Sequence, residues 1–226
     1  MNQRVSPLRH TPQEPRFIAV EGPVGVGKTS LARRLAESFD ARLVLEPEGD
    51  NPFLERFYKD GKSAALQTQL FFLFQRGRLV EELRQSDLFS PVRVADFLLA
   101  RDRLFAEVNL DRQEMILYEQ IAAQMNIDPQ VPDLVVYLQA STDALMQRIA
   151  RRGIPYERMI DRSYLERLAD AYARFFHSYD EAPLLIVNAS SIDLVGNDAD
   201  YQQLLTQINR ITGGRHFFNP SSAALA

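Results

Sequence analysis

The alternation of apolar and polar positions predicts that strands and helices alternate along most of the chain. Five short runs rich in Val, Ile and Leu are typical of buried strands, at residues 17–20, 42–45, 92–96, 134–138 and 184–187. Apolar residues spaced at the helical period predict helices at about 30–39, 51–61, 63–84, 98–105, 111–125, 142–151, 163–179 and 200–211. Such an alternation forms a parallel sheet with helices on both faces. We therefore predict an α/β fold with a five-stranded parallel sheet.

A glycine-rich turn lies between the first predicted strand and the first predicted helix. Its residues fit the pattern Gly, four residues, Gly-Lys-Thr, and they are Gly22, Pro23, Val24, Gly25, Val26, Gly27, Lys28 and Thr29, followed by Ser30. Glycines let the backbone approach phosphates, and the helix N-terminus directs N–H groups and a positive dipole end at an anion. Lys28 adds a charge for the β- and γ-phosphates, and the Thr29 hydroxyl can bind Mg²⁺. Because motif and context agree, the sequence predicts a nucleotide phosphate-binding loop and not an ordinary turn.

Acidic residues end the second and third predicted strands. Glu46 follows the second strand and Asp96 ends the third, at the sheet edge where ligands bind in such folds. Beside a nucleotide, one carboxylate can accept the proton of an attacking hydroxyl while another helps hold the metal ion. Glu46 is the candidate base, with Glu48 as a weaker rival, and Asp96 with Thr29 is the candidate metal-binding pair. Helix capping or solvated strand ends are the alternative for both carboxylates.

A basic cluster closes the helix predicted at 142–151. Arg148, Arg151 and Arg152 precede a Gly-Ile-Pro turn, and Arg148 and Arg152 share one helix face. Basic residues at a helix C-terminus can simply pair with the helix dipole. Given the phosphate loop, we favour an arginine lid that closes over the transferring phosphate.

Composition narrows the class of protein. The 226 residues suffice for one domain with a full core, and 46% hydrophobic and 25% charged residues are ordinary for a globular protein. A net charge of −4 argues against nucleic-acid binding through bulk electrostatics. The chain has no cysteine, which excludes disulfides and thiolate metal sites.

The chain termini and the location of the protein are also predicted. No apolar run approaches the roughly 18 residues of a membrane span, and the start lacks the apolar core of a signal peptide. We therefore expect a cytoplasmic protein with no membrane or nucleic-acid partner. Pro7, Pro12 and Pro15 predict a disordered arm over 1–15. The domain then spans 16–212, and a mobile tail is expected over 213–226.

Several of these residues together resemble the deoxynucleoside kinase family, over roughly residues 16–190. The resemblance is carried by Glu46-Pro47, Tyr58, Gln69, Arg76, the Asp102 region and the segment Arg148…Arg152…Glu157. Asn51-Pro52-Phe53-Leu54 and residues 69–74 are similar to its bacterial purine-nucleoside branch. The resemblance implies a P-loop kinase fold and transfer of the ATP γ-phosphoryl group, with Mg²⁺, to the 5′-hydroxyl of a purine deoxynucleoside in nucleotide salvage. It also implies a homodimer.

The resemblance assigns a role to each matching position. Glu46 would be the general base, and Lys28 would act on the phosphates beside it. Tyr58 and Glu157 would contact the 3′-hydroxyl of the sugar. The nucleobase would be recognised by Gln69, Arg76 and Asp102. Arg148 and Arg152 would contact the transferring phosphate. Arg76 and Gln69 lie seven residues apart on one face of an apolar helix, and Asp102 is a natural ion-pair partner for Arg76.

The chain departs from the family pattern at two places. Phe97-Leu98 stands where the family usually has Arg-Ser, so one arginine is missing, and Arg101 or Arg103 from the next turn could replace it. Ile154 stands where relatives often carry another lid arginine, and Arg158 could compensate.

Two other functions are alternatives to that of a deoxynucleoside kinase. A nucleoside-monophosphate kinase such as thymidylate kinase would need extra basic groups for the acceptor phosphate, and the missing Asp-Arg pair at 96–97 argues mildly against it. A nucleotide-dependent switch predicts a guanine-reading Asn-Lys-x-Asp motif, which does not occur. The sequence leaves open deoxyadenosine or deoxyguanosine as acceptor, and ATP or GTP as donor.

Overall fold

The computed structural model describes residues 16–85 and 92–219, which contain a six-stranded sheet. In sheet order the strands are β2 (Arg42–Val44), β3 (Arg93–Ala95), β1 (Phe17–Glu21), β4 (Leu134–Gln139), β5 (Leu184–Asn188) and β6 (Arg215–Phe218). Every neighbouring pair is parallel. The predicted parallel α/β sheet is confirmed, and its number of strands is corrected from five to six.

The helices follow the predicted pattern to within a few residues at most of their ends. They are α1 (Lys28–Ser38), α2 (Leu54–Asp60), α3 (Ala65–Gln85), α4 (Arg101–Asn109), α5 (Arg112–Met125), α6 (Thr142–Arg152), α7 (Arg162–Ser178) and α8 (Asp198–Ile208). Residues 98–100, predicted as helical, instead form the loop that leads into α4. The connection from β1 through α1 to β2 and the connection from β3 to β4 run in opposite directions along the sheet. Because crossovers between parallel strands are right-handed, these two connections lie on opposite faces of the sheet.

The two central strands form the apolar centre of the molecule. Ile18 and Val20 of β1, and Val135 and Val136 of β4, are fully buried. Branched apolar side chains on both faces are typical of parallel strands covered by helices on each side. The carboxyl ends of these strands are therefore fixed in a dry environment, where the predicted ligand crevice lies.

An aromatic stack attaches α7 to β4. The ring of Tyr137 on β4 lies 4.1 Å from that of Phe176 and 5.9 Å from that of Tyr172, both on α7. Such contacts add to the area that the rings bury. The stack places the Tyr172 hydroxyl beside the end of β1, where Glu21 accepts its hydrogen bond.

The C-terminal segment differs from the expectation of a mobile tail from residue 213. Arg215–Phe218 form β6, which pairs with β5 from Leu184↔Arg215 to Val187↔Phe218. Phe218 packs into the core, and Arg215 donates to the carbonyl oxygens of His177 and Tyr179. Four residues with one buried side chain show too little periodicity to be recognised as a strand. The arm predicted at 1–15 and residues 220–226 lie outside the described residues.

A membrane span was not expected, and none of the described helices is long and apolar enough to cross a membrane.

The contact between β6 and the core can be tested at two neighbouring phenylalanines. Phe218 is 8% exposed and Phe217 is 73% exposed. We expect Phe218→Ala to lower the free energy of unfolding by about 3 kcal/mol, because it removes a buried ring. Phe217→Ala should change it by no more than about 0.5 kcal/mol, as is usual at exposed positions. Denaturant unfolding of both variants measures the difference; equally small effects would show that β6 does not pack in solution.

Candidate active site

The phosphate loop joins β1 to α1, so it lies between a strand and a helix as the sequence predicts. Gly22, Gly25 and Gly27 all have positive φ, at 149°, 80° and 105°. A Cβ atom on Gly25 would lie 2.7 Å from Cγ1 of Ile149 on α6, so only glycine fits there. The loop therefore packs closely against α6 at Gly25.

The remaining loop residues differ in their exposure. Val24 and Val26 point into the core, and Ser30 is exposed in the first turn of α1. Lys28 is 6% exposed, and its Nζ donates to the carbonyl oxygen of Pro23 at 3.3 Å. The ammonium group therefore lies over the loop, where phosphate oxygens would be.

A cavity of about 530 Å³ opens beside the phosphate loop. Its walls are the loop and start of α1, the end of α6 and the segment 189–196 after β5. Arg148, Arg151 and Arg152 of α6 all line it. Position and charge make this cavity the candidate site for a nucleoside triphosphate.

Asp96 links the phosphate loop to the end of β2. Its Oδ2 accepts the Thr29 hydroxyl at 2.6 Å, and its Oδ1 accepts the backbone N–H of Glu46 at 2.8 Å. Burial raises the pKa of Asp96, and the hydrogen bond from Thr29 is the largest opposing effect. The two predicted metal-binding residues are therefore in contact.

A hydroxyl and a carboxylate next to a triphosphate site fit Mg²⁺. This ion takes one or two carboxylates, substrate phosphates and water, and does not need a cage of protein ligands. In the part of the chain that the structure describes, no group of three or more His, Cys, Asp or Glu side chains could hold a metal ion. The donor set at Thr29 and Asp96 suits a metal that arrives with the nucleotide.

Glu46 lies between two buried arginines. Its Oε1 is 2.5 Å from Nη2 of Arg76, and its Oε2 accepts Nη1 of Arg101 at 3.0 Å. The carboxylate of Glu46 is 1% exposed. The backbone N–H of Glu46 donates to Asp96, so Glu46 lies beside the Thr29–Asp96 pair. The side chain of Glu48, the weaker rival, lies outside the described residues.

Arg76 also pairs with Asp102 of α4, so the predicted ion pair is present. Its guanidinium packs over the ring of Phe72 at 5.1 Å. Burial lowers the pKa of Arg76, and Glu46 is the largest opposing influence. Gln69, two turns earlier on α3, is 2% exposed. The three residues that the resemblance assigns to the base are therefore all buried.

Arg101, and not Arg103, is the arginine that reaches the site. Arg101 is buried against Phe105 and contacts Glu46, whereas Arg103 is exposed and pairs with Glu107. Phe97 occupies the position of the missing family arginine and is 2% exposed in an apolar cluster. An arginine at 97 would point into that cluster.

Glu157 joins the predicted sugar site to the lid. Arg152 donates to both oxygens of Glu157, with Nε 2.9 Å from Oε2. Glu157 is buried in the 3-10 turn Pro155–Met159, and its neighbour Tyr156 stacks on Tyr58 with ring centroids 6.2 Å apart. Tyr58, Glu157 and Arg152 thus belong to one contiguous region.

The two predicted lid arginines are engaged differently. Nη1 of Arg148 donates to the carbonyl oxygen of Val26 at 3.1 Å, and Nη2 donates to that of Ala189 at 2.5 Å. Arg148 therefore fastens α6 to the phosphate loop and to the end of β5. Gly153, with φ 73°, ends α6 directly after Arg152, and Arg158, the possible substitute for Ile154, is exposed.

One buried residue of this region is not singled out by the sequence pattern. Glu21 ends β1 and is 1% exposed. It accepts hydrogen bonds from Gly22, Leu98 and Tyr172, and lies 3.8 Å from Arg101. Its one signal in the sequence is a charged residue at the end of an apolar strand, directly before the glycine loop.

Comparison with known proteins places this geometry in context. The family model described as deoxynucleoside kinase matches residues 18–212. A deoxyguanosine kinase of Bacillus subtilis (strain 168) is 34% identical over 203 residues, which cover 86% of this chain and 97% of the relative. A deoxyadenosine/deoxycytidine kinase of the same organism is 28% identical over 209 residues, covering 88% of this chain and 94% of the relative.

A solved structure is also similar. The deoxyadenosine kinase from M. mycoides, determined with dCMP and a flexible dCDP as products, superposes with a TM-score of 0.75 at 26% identity. The match covers 86% of this chain and all of that one.

The role of Lys28 can be tested by removing its charge. We expect Lys28→Met to lower the rate of ADP formation in the presence of deoxynucleosides by about 10²–10³-fold, as for other groups that stabilise transition-state charge. The exposed Lys59→Met, which removes a lysine outside the loop, is the matched control and should keep wild-type turnover. Near-normal turnover of a folded Lys28→Met protein would contradict the phosphate-loop assignment.

Proposed function

The chain belongs to the deoxynucleoside kinase family, and we propose that it transfers the γ-phosphoryl group of ATP to the 5′-hydroxyl of deoxyadenosine or deoxyguanosine. The observation that carries the proposal is the position of Glu46, which lies between the Thr29–Asp96 pair and the buried Arg76–Asp102 pair. A general base at this position can reach the 5′-hydroxyl of a nucleoside whose purine ring is held at Arg76.

The phosphate loop and its lysine would bind the donor. Backbone N–H groups of residues 24–30, at the N-terminus of α1, would hold the β- and γ-phosphates, and Lys28 would add its charge. The Thr29 hydroxyl and the Asp96 carboxylate would hold Mg²⁺, which neutralises charge on the phosphate oxygens. Arg148 and Arg152 lie at the other wall of the cavity. They would stabilise the charge on the transferring group once their guanidinium groups turn from the carbonyl oxygens of Val26 and Ala189 and from the carboxylate of Glu157.

Glu46 would take the proton of the 5′-hydroxyl during the transfer. Both of its oxygens are bound by guanidinium groups, so the incoming hydroxyl must share or replace one of these contacts. Asp102 is a second carboxylate partner for Arg76 and can keep that arginine paired when Glu46 turns to the substrate.

Tyr58 and Glu157 would bind the 3′-hydroxyl of the sugar. Tyr58 is held by stacking on Tyr156, and Glu157 is fixed by two hydrogen bonds from Arg152. Side chains held on both sides leave little room for a hydroxyl at the 2′ position. We therefore assign a preference for 2′-deoxynucleosides to this pair.

Gln69, Arg76 and Asp102 would recognise the base. An amide can donate and accept along one purine edge, and an arginine–aspartate pair presents both a donor and an acceptor. Relatives of this chain include a deoxyguanosine kinase and a deoxyadenosine/deoxycytidine kinase, which supports a purine and leaves cytosine as a weaker candidate.

The resemblance extends the proposal to the whole protein. We extend the catalytic domain from the predicted 16–212 to 16–218, because β6 pairs with β5 and Phe218 packs into the core. We propose that the enzyme acts in purine salvage as a homodimer, since family members usually form dimers. Its oligomeric state is measured directly by light scattering coupled to gel filtration.

The role of Glu46 as the general base can be tested by a substitution that keeps the shape of its side chain. Glu46→Gln cannot accept a proton, so we expect kcat to fall by about 10²–10⁴-fold with a much smaller change in KM. Glu48→Gln, two residues later, is the matched control and should keep the wild-type rate. If Glu48→Gln gives the large loss and Glu46→Gln does not, the base is Glu48.

The acceptor specificity can be tested with all four deoxynucleosides. We expect deoxyadenosine and deoxyguanosine to give the highest kcat/KM and thymidine a value lower by up to about 10⁴-fold, because a wrong base leaves buried polar groups unpaired. Replacing Arg76 and Asp102 together by small apolar residues removes one of the two arginines that bind Glu46, so kcat should fall for every acceptor. The difference between acceptors should still become smaller, because thymine then leaves no polar group of this pair unpaired. A wild-type enzyme that prefers thymidine would overturn the assignment of the base site.

A further inference from the structure

Glu21 is a buried carboxylate that none of the proposed reaction steps uses. It lies directly before the phosphate loop, with 1% of its surface exposed. Loss of hydration raises the pKa of Glu21 above its ordinary value. A buried acidic group is costly to keep, so its neighbours should explain its presence.

Part of the explanation is structural. The N–H of Gly22 and the hydroxyl of Tyr172 donate to Oε1 of Glu21 at 3.0 and 3.1 Å, and the N–H of Leu98 donates to Oε2 at 3.1 Å. These bonds join the phosphate loop, the β3–α4 loop and α7. Neutral oxygen acceptors could receive several of them, so they do not by themselves require a negative charge.

The charge of Glu21 is matched by Arg101. Nε of Arg101 is 3.8 Å from Oε1 of Glu21, while Nη1 of Arg101 donates to Glu46 at 3.0 Å. Among charged neighbours, Arg101 opposes the rise in the pKa of Glu21 most strongly. The guanidinium of Arg101 therefore lies between two buried carboxylates, and the ring of Phe105 packs against it at 4.8 Å.

We propose that Glu21 is a positioning residue, which fixes Arg101 and through it orients the carboxylate of Glu46 towards the 5′-hydroxyl. The proposal rests on the proposed function of Glu46 as the base. Without the charge of Glu21, the attraction between Arg101 and Glu46 is no longer balanced, and both side chains shift. A displacement of about 1 Å at a reacting group can cost about 10²-fold in rate.

A double-mutant cycle on Glu21 and Arg101 tests the proposal. The variants are Glu21→Gln, Arg101→Met and the two combined, each assayed for kcat and for KM with deoxyadenosine and ATP. We expect Glu21→Gln to lower kcat by about 10–100-fold, because the base is misplaced, and to change either KM by no more than about threefold. Because Glu21 acts through Arg101, the double variant should be no slower than Arg101→Met alone.

Tyr172→Phe is the matched control. It removes one hydrogen bond to Glu21 but keeps the charge and the stacked ring, so its kcat should stay within about threefold of the wild-type value. Thermal unfolding of each variant shows whether it is folded. If Glu21→Gln does not fold, Glu21→Thr, which also removes the charge and keeps an oxygen acceptor, takes its place in the same cycle.

Two results would overturn the proposal. One is a Glu21 variant with wild-type kcat, and the other is a double variant whose loss equals the product of the two single losses, as expected of independent structural effects. Failure of the proposed function looks different, because Glu46→Gln would then keep its rate. A slow Glu46→Gln enzyme combined with multiplicative losses in the cycle would remove only the role of Glu21.

Discussion

The centre of this protein contains two arginines that are almost completely shielded from water, and their charges have to be balanced within the fold. Arg76 contacts Glu46 and Asp102, and Arg101 contacts Glu46 and lies near Glu21. Transferring a single unpaired ion into such an environment costs several kcal/mol even after relaxation. Buried ion clusters are therefore weak stabilisers at best, and the arrangement is better explained by the chemistry it supports than by stability.

The sheet order is what brings these charges together. In the order β2-β3-β1, the ends of three adjacent parallel strands carry Glu46, Asp96 and Glu21. The β3–α4 loop then returns the chain so that Arg101 and Asp102 at the start of α4 face the same edge. Residues that are distant in sequence thus converge because parallel strands end at a common edge, where α/β proteins bind ligands.

The parts of this design that were predictable from sequence have local signatures. The phosphate loop was recognisable because its motif lies between a strand and a helix. Family membership was expected from the resemblance at several positions, among them Tyr58, Gln69 and Arg76, and is confirmed by the family match over residues 18–212. The parallel sheet followed from the alternation of apolar periods and is also confirmed, although its sixth strand, with one buried side chain in four residues, was missed.

The features of the site that could not be predicted from sequence depend on which side chains face the interior of the protein. Arg101 and Arg103 are two residues apart, and therefore point about 200° apart around α4, so a candidate list could not separate them. Only the packing of α4 against α3 and α7 decides that Arg101 faces the carboxylates. For Glu21, the sequence shows only a glutamate at the end of a strand, and such a glutamate can be either exposed to solvent or buried.

The double engagement of Glu46 has a consequence for how substrate binding and chemistry are related. Arg76 is shared by Glu46 and Asp102, and an arginine that also contacts a base must redistribute its five donors among three partners. If the nucleobase binds at Arg76, as we propose, a nucleobase that draws Arg76 towards Asp102 weakens the contact between Arg76 and Glu46 and frees a carboxylate oxygen for the 5′-hydroxyl. A nucleobase that does not draw Arg76 away leaves both carboxylate oxygens of Glu46 bound to arginines. Under the proposed function, recognition of the nucleobase and removal of the proton therefore depend on one side chain, so discrimination between acceptors should affect kcat as well as binding.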